Sequence, residues 1–325
     1  MIWLTWRQHR RQALFTLAAL GVLAAIMVPT GLAMHAKYDS LGLAACRAAL
    51  GSASTVTQTD AVARCESLGH QFQQQFNGMV FVAVLFVVLP VLVGVFFGAP
   101  LVAREVEQGT HRLVWTQGVS RLRWALAKFG LVGAITGVLA VGYALGVSWW
   151  FQPLVSASTG RLTYLSFDVQ GVVPIAYTLF ALALGVFAGT FWRKVLPAMG
   201  IALVGFAAVR VAIEVLARPR YLPARTLTFS PSGNQTPNPA SGDWVMSQGV
   251  RDAAGELVLP DAQIGPCPPS GGCGDGGGAG PGAYNWLQYQ PGDRFWTFQG
   301  IETGIFVLLT AALVYFALRR LRTLA

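Results

Sequence analysis

An all-α polytopic membrane fold with six transmembrane helices is what this sequence predicts, and three observations carry it. Hydrophobic residues make up 54% of the 325 and charged residues only 11%, where a soluble domain has about a quarter charged. Several stretches exceed the roughly 18 apolar residues that mark a membrane-crossing helix. The few charges are spread unevenly about those stretches, as the positive-inside rule requires.

In chain order, residues 1–12, "MIWLTWRQHRRQ", set Trp3 and Trp6 beside Arg7, Arg10 and Arg11. That mixture suits the membrane–water boundary, as an interfacial helix or as a positive anchor without a helix of its own. The first span is Ala13–Met34. Residues 35–78 follow as the first long external segment, with helical character either side of "GSASTVTQT". The second span, Met79–Ala103, leads into a polar loop at 104–128. Spans three to five are Phe129–Phe151, Val172–Trp192 and Val195–Ala217. Residues 218–297 are the second external segment, rich in Gly, Pro, Ser and Asn, with "PPSGGCGDGGGAGPG" as low-complexity loop. Within it "DWVMSQGVRDAAGELVLP" suits a small hairpin around its Ala-Gly turn. "YNWLQYQPGDRFWTF" reads as an interfacial aromatic belt before the last span, Phe298–Leu318. Residues 319–325 are the tail.

Orientation follows from the bases. With both termini in the cytoplasm, the cytoplasmic pieces hold Arg7, Arg10, Arg11, Arg104, Arg112, Arg121, Arg123, Lys128, Arg193, Lys194, Arg319, Arg320 and Arg322 against only Glu105 and Glu107. The formal +9 is then almost wholly cytoplasmic, so it calls for no nucleic-acid partner. The four cysteines, Cys46, Cys65, Cys267 and Cys273, all fall in the external segments. An even count on the oxidising side suggests two disulfides. Of three connectivities, Cys46–Cys65 and Cys267–Cys273 close the shortest loops; free or metal-binding thiols are the alternative.

Chemistry within the chain has little to stand on. No phosphate-binding G-x-x-x-x-G-K-[ST] loop, no H-E-x-x-H helix and no G-x-S-x-G turn occurs. The sequence therefore predicts no enzyme, no metal site and no cofactor held by this chain. Membrane lipids are the one partner the spans themselves imply. Three charges fall inside spans: Arg210 and Glu214, four apart on the fifth, and Glu302, one turn into the sixth. Charges in the bilayer seek partners or water. Arg210 has Glu214 along its helix and Glu302 across it, as an outer gate or as a pin between helices.

The stretch Arg104–Lys128, "REVEQGTHRLVWTQGVSRLRWALAK", resembles the first cytoplasmic loop of ABC transporter permeases of the ABC-2 type. In that family the second helix ends in a glutamate, a Gly-Thr pair and an apolar stretch. A Ser-Arg pair and a lysine then open the third helix. Here these are Glu105 or Glu107, Gly109-Thr110, Leu113-Val114-Trp115, Ser120-Arg121 and Lys128. "WLTWRQHRRQ" and "YQPGDRFWTFQGIETGIF" also resemble actinobacterial members. The long cysteine-bearing external segments depart from the plain members. The resemblance implies a membrane subunit of an exporter in a bacterial plasma membrane. It also implies a second permease copy, a homodimer, and separate ABC ATPase subunits that hold ATP and Mg. Arg104, Glu105, Glu107, Gln108, Gly109, Thr110 and Arg112 would form the ATPase-coupling loop, with the two carboxylates on a basic groove of the partner and Gly109 making the turn. A loop that only sets orientation is the plainer reading. A membrane-anchored sensor or scaffold with external binding segments is the other functional class.

Overall fold

The computed structural model describes residues 2–52, 59–109, 120–157, 160–192, 194–230, 242–264 and 280–323. Six helices are long and apolar enough to cross a membrane: Leu20–Ser40, Gly78–Glu107, Leu122–Ala157, Val173–Phe191, Val195–Arg220 and Gly292–Arg322. The chain is a multi-pass membrane protein.

Helix α1 spans Ile2–Ser40 without a break. Two shorter helices follow, α2 (Leu43–Ser52) and α3 (Thr59–Phe76), clipped together by a Cys46–Cys65 disulfide. Cys267 and Cys273 lie outside the described residues. Next come α4 (Gly78–Glu107), α5 (Arg121–Ala157), the short α6 (Tyr164–Val169), α7 (Val173–Phe191), α8 (Val195–Arg220) and finally α9 (Phe295–Thr323).

Two of these helices are interrupted by a π turn, Gly94–Gly98 in α4 and Ile213–Ala217 in α8. Each turn is closed by the N–H of the residue just before a proline: Ala99 donates to Gly94 O ahead of Pro100, and Arg218 to Ile213 O ahead of Pro219. A proline ring has no N–H and clashes with the carbonyl four residues back. Widening the preceding turn relieves that clash while keeping the neighbouring amides bonded.

Helix α7 is the centre of the bundle. Of its most apolar window 78% is buried inside the protein, against 17–33% for the other five spans. Small residues make this possible: Gly185 packs against Gly94 O of α4, and a β-carbon at Gly189 would come within 2.6 Å of Ala99 O. Close backbone approach through small residues is how helices associate where water gives no hydrophobic drive. The first turn of α7 is capped from another helix. Gln299 of α9, fully buried, accepts from Val172 N and Val173 N, both at 2.9 Å, and donates to Phe167 O and Gln170 O, both at 3.1 Å. All four bonding positions of the amide are filled.

The chain is not all helical. Residues 225–290 contain a four-stranded antiparallel sheet: β1 (Arg225–Phe229), β2 (Trp244–Arg251), β3 (Leu257–Pro260) and β4 (Tyr284–Gln290), in the order β1-β4-β2-β3. This corrects the all-α expectation. The β2–β3 hairpin falls in the stretch read as one, around Asp252–Gly255 with Gly255 at φ +87°. "YNWLQYQ" forms strand β4, with Asn285, Leu287 and Gln290 buried. The sheet is fastened to the bundle: Gly292 N donates to Asp243 Oδ1 at 2.8 Å, and Trp244 joins Leu162, Phe167, Phe295 and Phe298 in the core around α7. It caps the end of the bundle where α7 begins, opposite the end where α9 finishes.

Candidate functional site

Two constellations stand at opposite ends of α7. At the end away from the sheet, α4 stops at the polar stretch that opens the 104–128 loop. Gln108 N donates to Arg104 O at 3.1 Å and Gly109 N to Val106 O at 3.2 Å, and Gly109 takes φ +69°, left-handed backbone that suits glycine after a helix end. Across the loop, Arg123 N donates to Ser120 Oγ at 3.3 Å, so the serine of the Ser-Arg pair caps α5.

The carboxylates here turn inward. Lys128 Nζ, buried, donates to Glu105 Oε1 at 2.6 Å and to Leu101 O at 2.8 Å, and lies 5.1 Å from the Trp124 ring centroid. The pair ties the end of α4 to the first turns of α5. Glu107 Oε2 accepts from Val195 N at 3.0 Å, satisfying a free N–H at the start of α8. A carboxylate there also meets the positive end of that helix dipole. In the chain alone, Glu105 is engaged by Lys128 and Glu107 by Val195 N. Arg104, Gln108 and Gly109 are exposed; Thr110 and Arg112 lie outside the described residues.

At the sheet end lies a buried charge cluster. Arg218, fully buried, donates through Nε to Glu302 Oε2 at 3.0 Å and through Nη2 to Asp168 Oδ1 at 2.7 Å and Glu302 Oε1 at 2.8 Å. Arg210 Nη2 pairs with Asp168 Oδ2 at 2.5 Å. The Tyr177 hydroxyl sits among them, against Asp168 and Glu302, and Tyr221 OH donates to Glu302 Oε2 at 3.1 Å. Both guanidiniums stack on rings, Arg210 at 3.9 Å from the Tyr177 centroid and Arg218 at 4.3 Å from that of Phe167. Two arginines thus face two carboxylates, and the cluster is neutral as a unit. Just beyond the span, burial and then the Glu302 carboxylate push the Tyr221 phenol above its ordinary range, which keeps it a donor.

The sequence brought together Arg210, Glu214 and Glu302; the structure regroups them. Arg210 pairs with Asp168, not Glu214, and Glu302 pairs with Arg218. Glu214 lies half-buried within the π turn and joins no ion pair among the described residues. Arg210 is turned to Asp168 of α6 rather than along its own helix. Missed altogether were Asp168, in a short link between spans, and Arg218, counted as the first base of the external segment. An arginine directly before Pro219 at the end of an apolar run was the available signal.

Comparison with known proteins adds one positive finding. No curated protein and no solved structure matches the chain. A family model described as ABC-2 membrane transporter related matches residues 17–218. That stretch covers five of the six spans, the hinge and three of the four cluster charges, leaving Glu302 and the sheet outside it. With well over half its length matched, the chain belongs to the ABC-2 membrane transporter related family, a membrane transport component.

Proposed function

We propose that this chain is the membrane-spanning permease subunit of an ATP-driven exporter in a bacterial plasma membrane. It works with a second permease copy and with separate ABC ATPase subunits that bind ATP and Mg. Hydrolysis on the ATPase drives efflux of a hydrophobic or amphipathic substrate. The observation that supports this most is the bracing of the hinge. Lys128–Glu105 joins α4 to α5, and Glu107–Val195 joins α4 to α8. A displacement applied to the loop between Gln108 and Ser120 is therefore handed to three spans at once. An orientation-setting loop needs no such fastening, since its charges alone suffice.

Docking in this reading falls on the exposed Arg104, Gln108 and Gly109 and on the loop beyond them, while Glu105 and Glu107 hold the lever in place. The test is copurification with an ATPase encoded beside this chain, followed by substrate-stimulated ATP hydrolysis in proteoliposomes. The parent pair copurifies and couples; Glu107→Lys, which removes the α8 cap and reverses its charge, lowers coupling while membrane insertion persists. Failure of any ATPase to copurify, with ligand binding to the sheet or to the α2–α3 hairpin, would favour a membrane-anchored sensor or scaffold instead.

A further inference from the structure

Where α8 leaves the bundle beside the sheet, a cavity of about 390 Å³ opens between the two, in the size range of small-ligand sites. Its walls include Val215, Leu222, Ala224 and Met246, and its polar groups are Arg220 and Gln288; no carboxylate lines it among the described residues. The wall is fixed from behind, since Gln290 Nε2 donates to Leu222 O and Arg294 Nη1 to Pro223 O, both at 2.7 Å. Gln288 is engaged by Ser247 Oγ at 3.2 Å. That leaves Arg220 as the charged group, exposed and tethered by Nη1 to Leu216 O at 2.5 Å, at the last residue of the candidate span. The tether holds the guanidinium at the cavity mouth and uses one of its five N–H groups.

The apolar lining is continuous with the outer face of α8. Val211, Val215 and Leu216 are 56%, 56% and 59% exposed, as residues facing acyl chains are. An acyl chain lying along that face therefore reaches a pocket of the same character with one fixed cation at the level where headgroups begin. We propose that this cavity is a binding site for an anionic phospholipid of the leaflet on the sheet side, its acyl part against Val215 and Met246 and its phosphate on Arg220. The site rests on the six-span fold and is independent of the transport reading. An arginine at a helix C-terminus also complements the helix dipole, and the experiment separates that role from lipid binding.

Full-length protein in mild detergent is titrated with phosphatidylglycerol and, separately, with phosphatidylcholine, and bound lipid is counted by native mass spectrometry. The parent chain holds one phosphatidylglycerol at concentrations where phosphatidylcholine is not retained. Arg220→Lys keeps the preference, Arg220→Gln weakens phosphatidylglycerol about tenfold, and Arg220→Glu abolishes it. Ala224→Trp, which fills the cavity, releases both lipids. All three Arg220 variants alter an exposed rim and are checked for parental elution and melting. Equal retention of the two lipids by the parent chain, or undiminished phosphatidylglycerol on folded Arg220→Glu, would overturn the assignment.

Discussion

Replacing Asp168 with asparagine tests the buried cluster most directly. Its side chain is 4% exposed and meets two arginines, Arg210 at 2.5 Å and Arg218 at 2.7 Å. The substitution keeps the size and one carbonyl oxygen but removes the charge. Two guanidiniums then share the single carboxylate of Glu302, leaving one positive charge uncompensated inside the bundle. Acceptors are already short, because Arg210 Nε and Arg218 Nη1 have no hydrogen-bond partner among the described residues. Breaking a buried pair by removing one partner costs on the order of 3–5 kcal/mol, which is about two to nearly four decades in an equilibrium constant. Asp168→Asn should therefore melt well below the parent in detergent, read by size-exclusion of heated samples. Adding Arg210→Gln restores neutrality, and the double variant should regain stability, with a coupling of about 0.5–3 kcal/mol. If Asp168→Asn melts like the parent, or the double variant melts at the sum of the single losses, the cluster is not a charge-balanced pin. Parental melting combined with lost export would instead mark it as a gate.

The remaining predictions are more local. A β-carbon added at Gly109 meets no atom within 4 Å among the described residues, so Gly109→Val acts through backbone strain, about 1–2 kcal/mol for a side chain in the left-handed region; insertion should persist while ATPase coupling falls in reconstituted membranes. Gly185→Leu drives a side chain into Gly94 O and should abolish folded protein, whereas Gly130→Ala, which faces open space, should leave the melting temperature within a degree or two of the parent, both read by the same heated-elution assay. Cys46→Ser unclips α2 from α3 across a separation of 19 residues and should cost about 3 kcal/mol on the loop-entropy model, measured against the oxidised parent, with the reduced parent matching the variant. In intact cells, thiol reagents should find Cys267 and Cys273 already oxidised, with non-reducing mass mapping pairing them; free cytoplasmic thiols there would overturn the assumed orientation.

The six spans were legible because a lipid-crossing helix must be apolar for its whole length, a signal that needs no tertiary information. The sheet was not. Its strands are only four to eight residues long and mostly lack a clean apolar–polar alternation, and in β4 three of the four apolar residues are aromatics, which near a span also suit a membrane interface. Only β2 and β3 carried a local turn signal strong enough to read. The hinge was legible as a motif but not as a geometry: nothing in "REVEQ" says that Glu105 meets a lysine 23 residues on or that Glu107 caps the start of a helix 88 residues on. The cluster was half legible. Arg210 and Glu302 stand out inside apolar runs, while Asp168 and Arg218 sit at the ends of runs, where charges are ordinary. Their burial is a product of packing alone.

In the transport reading proposed above, the 104–128 loop and the charge cluster act as one mechanical element, because of what α7 touches. Near its start, Tyr177 lies within the cluster under the Arg210 guanidinium; further along, Gly185 and Gly189 press on the backbone of α4 at Gly94 and Ala99, just above the hinge. Side chains at a helix contact can change rotamer and absorb a displacement, but backbone packed on backbone has nothing to yield. A shift of α4 driven through the Glu105–Lys128 brace must therefore move α7, or else open the glycine seam and lose its close packing. The π turn at Gly94–Gly98, set there by Pro100, lies directly on that seam. At the far end, α7 carries Tyr177 against four charges drawn from the α6 region, α8 and α9. Removing a partner from a buried ion pair is costly, so in that reading the cluster holds α6, α8 and α9 to α7 while its charges stay paired. The glycine seam then carries a displacement of α4 to the helix on which that cluster is built.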